Sequence, residues 1–243
     1  MHRANGRKTD ALRPLKFQRR YTRQAPGSVL VRMGRTTVLC TCCVEPGVPP
    51  FLLGSGKGWL SAEYGMLPGS TNTRKQRDRG GKIDGRTVEI QRLIGRSLRA
   101  IVDLEKLGEH TLWLDCDVLE ADGGTRTASI NGAFVALLDA LAANRAILGP
   151  VQGLIKSNVA AISVGLLDDI ELLDLDYSED KDAEVDLNLV MTGAGEFIEV
   201  QGTGEEATFS RSQLDRLLKL GKTGIDAITR AQRHTLGTNW PLD

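Results

Sequence analysis

The sequence predicts an α/β protein made of two halves of similar design. In each half, segments rich in β-branched and apolar residues are followed by a long helical pattern. The run of strands restarts after a Gly-Pro step, so we expect an N-terminal half at 1–141, a connection at 142–157 and a C-terminal half at 158–243. With 243 residues, 41% of them hydrophobic, the chain can bury a core that packs both halves into one subunit.

Apolar periodicity predicts the elements of the first half. Apolar and β-branched residues on both sides of Gly34 predict an antiparallel hairpin, and apolar residues at helical spacing after residue 87 predict an amphipathic helix. The predicted elements are an arm or edge strand at 17–21, hairpin strands at 28–33 and 36–44, strands at 59–66 and 111–119, and helices at 87–104 and from 128 onward.

The second half repeats the order of strands before helix. Its predicted strands lie at 159–165, 170–176, 185–191 and 197–201. Ser210 and Gln213 have the spacing of a capping box, which predicts that a long helix begins there.

Charge and cysteine content exclude several classes of protein. Lys and Arg number 31, as do Asp and Glu, so binding of a polyanion requires local clusters of charge. The chain has no apolar run of about 18 residues and no signal-peptide segment, so we expect a soluble cytoplasmic protein without membrane contact. The four cysteines lie on predicted strands and the three histidines are scattered, which favours buried free thiols over a zinc site.

Residues 121–131 join a predicted strand to a helix through a turn that can bind an anion. Gly123 and Gly124 allow the backbone to approach a ligand closely, and the unpaired amides of the helix N-terminus face the same turn. The guanidinium of Arg126 adds positive charge, and this combination suits phosphate or sulfate. The alternative is a tight strand-to-helix turn whose arginine lies in solvent.

A basic loop precedes the helix predicted at 87–104. Residues 68–82 contain glycines, no apolar periodicity, and the basic side chains of Arg74, Lys75, Arg77, Arg79 and Lys82. Such a loop is either a solvated surface or a clamp on nucleic-acid phosphates, and without interleaved aromatic residues its contacts would be indifferent to base sequence. Arg86 follows this loop and is a second candidate ligand for an anion.

Residues 176–188 form an acidic segment between two predicted strands. A solvated hairpin tip is one explanation, but Asp186 alternates with apolar residues inside a strand, where an unpaired carboxylate is costly. A Mg²⁺ ion held by Asp180 and Asp186 would satisfy this requirement. An anion-binding turn beside two carboxylates is the composition expected for phosphoryl transfer. The sequence lacks a Walker motif, a Gly-x-Ser-x-Gly elbow and a dinucleotide fingerprint, each of which would indicate other chemistry.

Several longer motifs extend these observations over nearly the whole chain. They include Gly-Trp-Leu-Ser-Ala-Glu-Tyr at 58–64, Glu-Asp-Lys-Asp-Ala-Glu-Val-Asp at 179–186, Val-Gln-Gly-Thr-Gly-Glu-Glu-Ala-Thr-Phe-Ser at 200–210, and the segments 85–100, 115–130 and 160–165. Together they resemble the bacterial ribonuclease PH family, whose members trim tRNA 3′ ends by phosphorolysis.

The resemblance implies a fold, an assembly and a set of site residues. The expected fold is the ribonuclease PH, or ribosomal protein S5 domain 2-like, fold with two βαβ-type halves, assembled as a homohexameric ring of three dimers. Inorganic phosphate is the implied co-substrate and attacking nucleophile, and the implied metal is Mg²⁺ or Mn²⁺. The implied phosphate ligands are Arg86, Gly124, Thr125 and Arg126, and the implied catalytic and metal-binding acids are Asp180 and Asp186.

The resemblance also implies the substrates. These are tRNA precursors and other RNA 3′ ends, rRNA among them, and the products are nucleoside diphosphates, which the reverse reaction would add back to RNA. Arg74, Arg77 and Arg79 lie in the loop that would face RNA. Leu53 and Gly69 occupy positions where arginine is frequent in the family, a difference that bears on RNA binding and not on the chemistry.

Two alternative functions remain at this point. A non-catalytic RNA-binding ring subunit of an exosome-like assembly would lack either the arginines or the carboxylates, and this sequence has both. A small-molecule kinase on a related fold would require a nucleoside triphosphate, and the basic loop argues against it.

Overall fold

The computed structural model describes Arg3 and residues 6–77, 84–205 and 207–242. The first half contains β1 (Leu15–Arg19), β2 (Gly27–Met33), β3 (Thr36–Pro46), β4 (Trp59–Met66), α1 (Gly85–Ile101), α2 (Leu104–Leu107), β5 (His110–Glu120) and α3 (Thr125–Ala143). The connection contains α4 (Arg145–Leu148) and α5 (Val151–Leu154), and the second half contains β6 (Val159–Leu167), β7 (Ile170–Leu173), α6 (Tyr177–Asp182), β8 (Val185–Thr192), β9 (Phe197–Gly204) and α7 (Arg211–Leu236). Short 3₁₀ helices lie at Pro50–Leu52 and Gly237–Asn239.

Each half forms its own sheet, and the two sheets differ in strand direction. The strand orders are β1-β2-β3-β5-β4 and β7-β6-β8-β9. β4 and β5 pair in parallel and are connected through α1, whereas the pairs of the second sheet are antiparallel. The predicted hairpin is confirmed by antiparallel pairing of β2 with β3, and the 17–21 segment is an edge strand, β1, rather than an arm. The predicted α/β class is therefore confirmed.

Helix α3 joins the two halves into one core. It packs on β2 and β3 on one side and on β6 on the other, and residues 127–141 are buried on all faces. Asn131 on this helix donates to the Ala161 carbonyl and accepts from the Ala161 amide, both at 2.8 Å. These bonds satisfy the backbone of β6 where β7 is too short to run beside it.

Predicted elements differ from the structure at several points, and three of the differences have a local reason. The helix expected from residue 128 begins at Thr125, because Gly124 adopts a left-handed conformation and starts the helix earlier. The strand expected at 170–176 ends at Leu173, since Asp174 follows with φ +56°. The acidic segment is not a hairpin tip but helix α6, which begins at a capping box made by Asp176 and Glu179.

The cysteine and helix-cap predictions agree with the structure. Cys40, Cys42 and Cys116 are buried free thiols, while Cys43 is partly exposed. The capping box expected at Ser210 begins α7. Within the described residues, none of the helices combines the length and the hydropathy needed to span a membrane.

Candidate active site

The turn between β5 and α3, residues 121–124, is the candidate anion-binding turn, and its conformation suits anion binding. Gly123 and Gly124 have φ values of +75° and +65°, in the left-handed region that favours glycine. Gly124 is the N-cap of α3, so the first amide groups of this 19-residue helix, from Thr125 onward, have no acceptor within the helix. The positive end of the helix dipole therefore points at the turn.

Neighbouring hydroxyl groups hold this turn in place. The hydroxyls of Tyr64 and Thr125 lie 2.9 Å apart, and Thr127 Oγ1 donates to the Gly124 carbonyl at 2.9 Å. Tyr64 is buried on β4, and the parallel pairing of β4 with β5 places its hydroxyl beside the start of α3. The strand-helix-strand unit of the first half thus fixes the anion-binding turn.

The turn also packs directly against the segment that leads into α6. A Cβ atom added to Gly123 would lie 2.7 Å from the Leu175 carbonyl oxygen and 2.7 Å from the Asp176 carbonyl carbon. Real Cβ atoms do not approach other atoms so closely, so this position requires glycine. The close packing brings the anion-binding turn next to the acidic segment of the second half.

A polar cavity of about 210 Å³ lies where the two segments meet. The predicted site residues that line it are Arg86, Gly124, Thr125, Arg126, Asp180 and Asp186. Positive charge and free amides from the first half therefore face carboxylates from the second half across one small space. The sequence motifs predicted this juxtaposition, which suits phosphoryl transfer.

The two arginines of the cavity differ in their environments. Arg126 is 15% exposed, and its Nη1 donates to Gln201 Oε1 at 2.7 Å and to Glu89 Oε1 at 3.4 Å. Arg86 lies in the first turn of α1 and is exposed. Arg126 is thus oriented by strand β9 and helix α1, while Arg86 lines the cavity from an exposed position on α1.

The carboxylates experience opposing electrostatic effects. Burial and the negative charge of Asp180 raise the pKa of Asp186 from 3.8 to about 6, although Arg126 and a 3.0 Å hydrogen bond from Asn188 oppose the rise. Burial also raises the pKa of Asp180, against the lowering effect of Arg86 and Arg126. Ionising Asp186 is therefore unfavourable unless a further positive charge is near.

The acids fit a hard divalent cation. Asp186 Oδ1 is buried and accepts no hydrogen bond from any described residue, so this carboxylate oxygen is free to bind a cation. Nowhere in the described part of the chain do three or more His, Cys, Asp or Glu side chains form a group that could hold a metal. Mg²⁺ is commonly held by one or two carboxylates and completes its shell with water and substrate oxygens, so Asp180 and Asp186 are compatible with it.

The basic loop lies beside the site, and the structure describes its residues as far as 77. Arg74 and Arg77 are exposed, as a surface that binds RNA phosphates requires. Arg79 and Lys82, which belong to the same predicted cluster, lie outside the described residues. The loop also contributes residues 71–73 to a larger cavity of about 350 Å³ that shares Arg86, Gly124, Thr125 and Asp180 with the smaller one.

Sequence reasoning missed several polar residues of the cavity. Ser163, Asn188 and Gln201 also line it. Ser163 and Asn188 lie in segments whose apolar pattern predicted strands and gave no sign of a site. The two residues are partners across β6 and β8, and Asn188 is two residues from Asp186, so all three lie on one face of the sheet. No local sequence pattern marks Gln201 as a site residue, because its role depends on the hydrogen bond that it accepts from Arg126 across the fold.

The sequence that forms this site matches a known enzyme family. Domain 1 of the 3′ exoribonuclease family matches residues 11–142, and domain 2 of that family matches residues 157–224. These matches cover most of the chain, so the protein belongs to the 3′ exoribonuclease family.

A relative narrows this assignment. Ribonuclease PH from Rhodopirellula baltica is 56% identical over 239 residues, which are 96% of this chain and 97% of the relative. This similarity confirms the family that the sequence motifs predicted. It also confirms the prediction that the protein is an exoribonuclease.

Solved structures show the same fold at lower identity. Rice (Oryza sativa) Rrp46 has a TM-score of 0.78 at 23% identity, covering 96% of this chain and 100% of that chain. A chain of the Archaeoglobus fulgidus exosome with RNA bound to the active site has a TM-score of 0.79 at 21% identity, covering 94% and 92%. At these identities the similarity establishes the fold alone.

Proposed function

We propose that this protein is a phosphorolytic 3′-to-5′ exoribonuclease that trims tRNA precursors and other RNA 3′ ends. The observation that carries the proposal is the single cavity in which Arg86, Arg126 and the start of α3 face Asp180 and Asp186. An anion and a cation bound side by side are what attack by phosphate on a phosphodiester requires.

In this proposal, inorganic phosphate occupies the anion-binding turn. Backbone amides of Thr125 and Arg126 donate to its oxygens, and the guanidinium groups of Arg86 and Arg126 neutralise its charge. A phosphate oxygen attacks the phosphorus of the last phosphodiester, and the bond from phosphorus to the 3′ oxygen of the preceding nucleotide breaks. The leaving oxygen takes a proton, and the terminal nucleotide departs as a nucleoside diphosphate.

The acids have two roles in the same proposal. Asp180 and Asp186 would hold Mg²⁺ or Mn²⁺, and the cation would offset the negative charge that develops on the transferring phosphoryl group. When Asp186 is not coordinated to the metal, its pKa of about 6 would let it accept or release a proton near neutral pH. Because the diester energy is retained in the diphosphate, the reverse addition of nucleotides is also expected.

RNA would reach this cavity along the basic loop. Arg74, Arg77 and Arg79 would contact backbone phosphates, which gives affinity with little sequence preference. The 350 Å³ cavity beside the phosphate turn provides space for the terminal nucleotide. A preference for tRNA would then come from the stiffness of its acceptor stem, which resists threading into the site.

We also propose the homohexameric ring and the cytoplasmic location expected from the sequence. Phe197 and Val200, both on edge strand β9, are 51% and 46% exposed, and apolar residues on a strand edge favour burial against another subunit. Light scattering after size-exclusion chromatography measures the assembly, and a monomer of 26.4 kDa would contradict the ring.

The decisive experiment incubates a 3′-extended tRNA with the protein and Mg²⁺, with and without inorganic phosphate. We expect shortening only with phosphate, and nucleoside diphosphates as the products. Nucleoside monophosphates released without phosphate would show hydrolysis and refute the proposal. RNA binding with no shortening under either condition would support a non-catalytic ring subunit instead.

A further inference from the structure

Arg13 bridges the anion-binding turn and the segment that leads to α6. Its side chain is 4% exposed, and its guanidinium contacts both chain segments. Nε and Nη2 donate to the Asp174 carboxylate at 3.1 and 2.6 Å, and the Arg13 amide donates to the same carboxylate at 2.7 Å. Nη1 donates to the Asp122 carbonyl, and Nη2 lies 3.4 Å from the Gly123 carbonyl oxygen.

Each end of this bridge is close in sequence to groups of the site. Gly123 directly precedes Gly124, and Asp174 begins the short segment that reaches Asp180. The Asp174 side chain is 1% exposed, and its amide donates to the Ser163 carbonyl at 2.8 Å. The backbone of Asp174, whose carboxylate accepts from Arg13, is therefore bonded to strand β6 of the second sheet.

A second arginine attaches α6 to the same N-terminal segment. Arg3 Nε and Nη2 donate to the Glu179 carboxylate at 2.6 and 2.5 Å, and Arg3 Nη1 donates to the Leu173 carbonyl at 2.8 Å. Glu179 directly precedes Asp180 in α6. The N-terminal segment thus holds the acid-bearing helix from one side while Arg13 connects that region to the turn.

We propose that Arg13 is a positioning residue that sets the distance between the anion-binding turn and the carboxylates of Asp180 and Asp186. This inference rests on the phosphorolytic function proposed above. The planar guanidinium spans one carboxylate and two carbonyls at once, whereas a lysine ammonium presents its donors at a single point and cannot bridge them. Without the Arg13 bridge, the bound phosphate and the scissile diester would no longer be aligned for attack. A displacement of about 1 Å costs roughly a hundredfold in rate.

The test compares Arg13→Lys with the matched control Arg19→Lys in the full-length protein. Arg19 makes a similar ion pair with Asp139, at 2.5 Å, but that pair lies roughly 20 Å along α3 from Thr125. For R13K we expect kcat/KM for phosphate to fall roughly ten- to a hundredfold, while the Kd for RNA stays within about twofold of the original protein. For R19K we expect a lower Tm with kcat/KM for phosphate unchanged.

The outcomes separate this inference from the proposed function. If the original protein releases no nucleoside diphosphate, the proposed function fails. If the original protein is active and folded R13K retains its phosphate kinetics, or R19K loses them equally, the positioning role is overturned. Asp174→Asn preserves side-chain size and weakens the same bridge, so it must show the same selective loss. If circular dichroism shows both R13K and D174N to be unfolded, Arg13 serves the fold rather than the site, and the inference is likewise overturned.

Discussion

Replacing Asp186 by asparagine should stabilise the metal-free protein while abolishing its activity. The pKa of Asp186 is raised from 3.8 to about 6, mainly by burial and secondly by Asp180. One pKa unit corresponds to about 1.4 kcal/mol, so with partial exposure the ionised carboxylate costs the folded state on the order of 2 to 3 kcal/mol at pH 8. Asparagine is nearly the same size and can still accept the hydrogen bond from Asn188, so it removes the charge with little change in packing.

The pH dependence of this effect has a defined sign. Because the folded-state pKa lies above the unfolded one, Asp186 binds its proton more tightly in the folded protein. The wild-type protein therefore loses stability as pH rises from about 4 to about 6, and D186N does not. The stability advantage of D186N should be full at pH 8 and should shrink toward zero near pH 4.

Urea denaturation in EDTA at pH 4, 6 and 8 measures this difference. The matched control is Asp182→Asn on α6, where the side chain is exposed and the change should stay within about 0.5 kcal/mol. Mg²⁺ at a hundred times its Kd should add about 2.7 kcal/mol to the wild-type protein and little to D186N. The reasoning is wrong if D186N is less stable than the wild-type protein at pH 8 without metal, or if Mg²⁺ stabilises both equally.

Three further predictions concern the chemistry and the RNA. The rate of phosphorolysis should fall as pH is lowered through about 6, because Asp186 is then protonated, and a higher Mg²⁺ concentration should move the midpoint of this fall to lower pH. Initial rates measured from pH 5 to 8 test this prediction, and a rate that does not change with pH would contradict it. Arg126→Ala should lower kcat/KM for phosphate roughly a hundredfold while RNA binding changes little, and equal loss of both would argue against its assigned role. Arg77→Ala should weaken binding of all RNA sequences alike and reduce the slope of log K against log salt by about one, as fluorescence anisotropy at several salt concentrations measures; an unchanged slope would place Arg77 away from the RNA backbone.

Local patterns in the sequence predicted much of the fold. The hairpin around Gly34, the amphipathic helix α1 and the capping box at Ser210 depend on residues close together in the chain, and the structure confirms each of them. The helix α6 was missed although Asp176 and Glu179 carry the capping-box spacing, because six charged and polar residues without apolar periodicity resemble a solvated loop.

The sequence was less informative about contacts between parts of the site that lie far apart in the chain. Residues 124–126 and the acids at 180 and 186 were each recognisable as candidate ligands from their own surroundings. The role of Arg13 was invisible, because its partner Asp174 lies 161 residues away in the chain. The raised pKa of Asp186 was foreseen only as an unpaired strand carboxylate, since its cause is burial between elements that no local pattern connects.

The sequence by itself determined the chemical groups available to this protein and the elements that carry them, because strand alternation, helix periodicity and glycine turns are governed by interactions between near neighbours. Only the tertiary structure decided which of these groups meet. Helix α3 is buried between two sheets, and the close approach of Gly123 to Leu175 then forces the anion-binding turn against the acidic segment. That juxtaposition depends on packing across the whole core, and it turns separate motifs into one site.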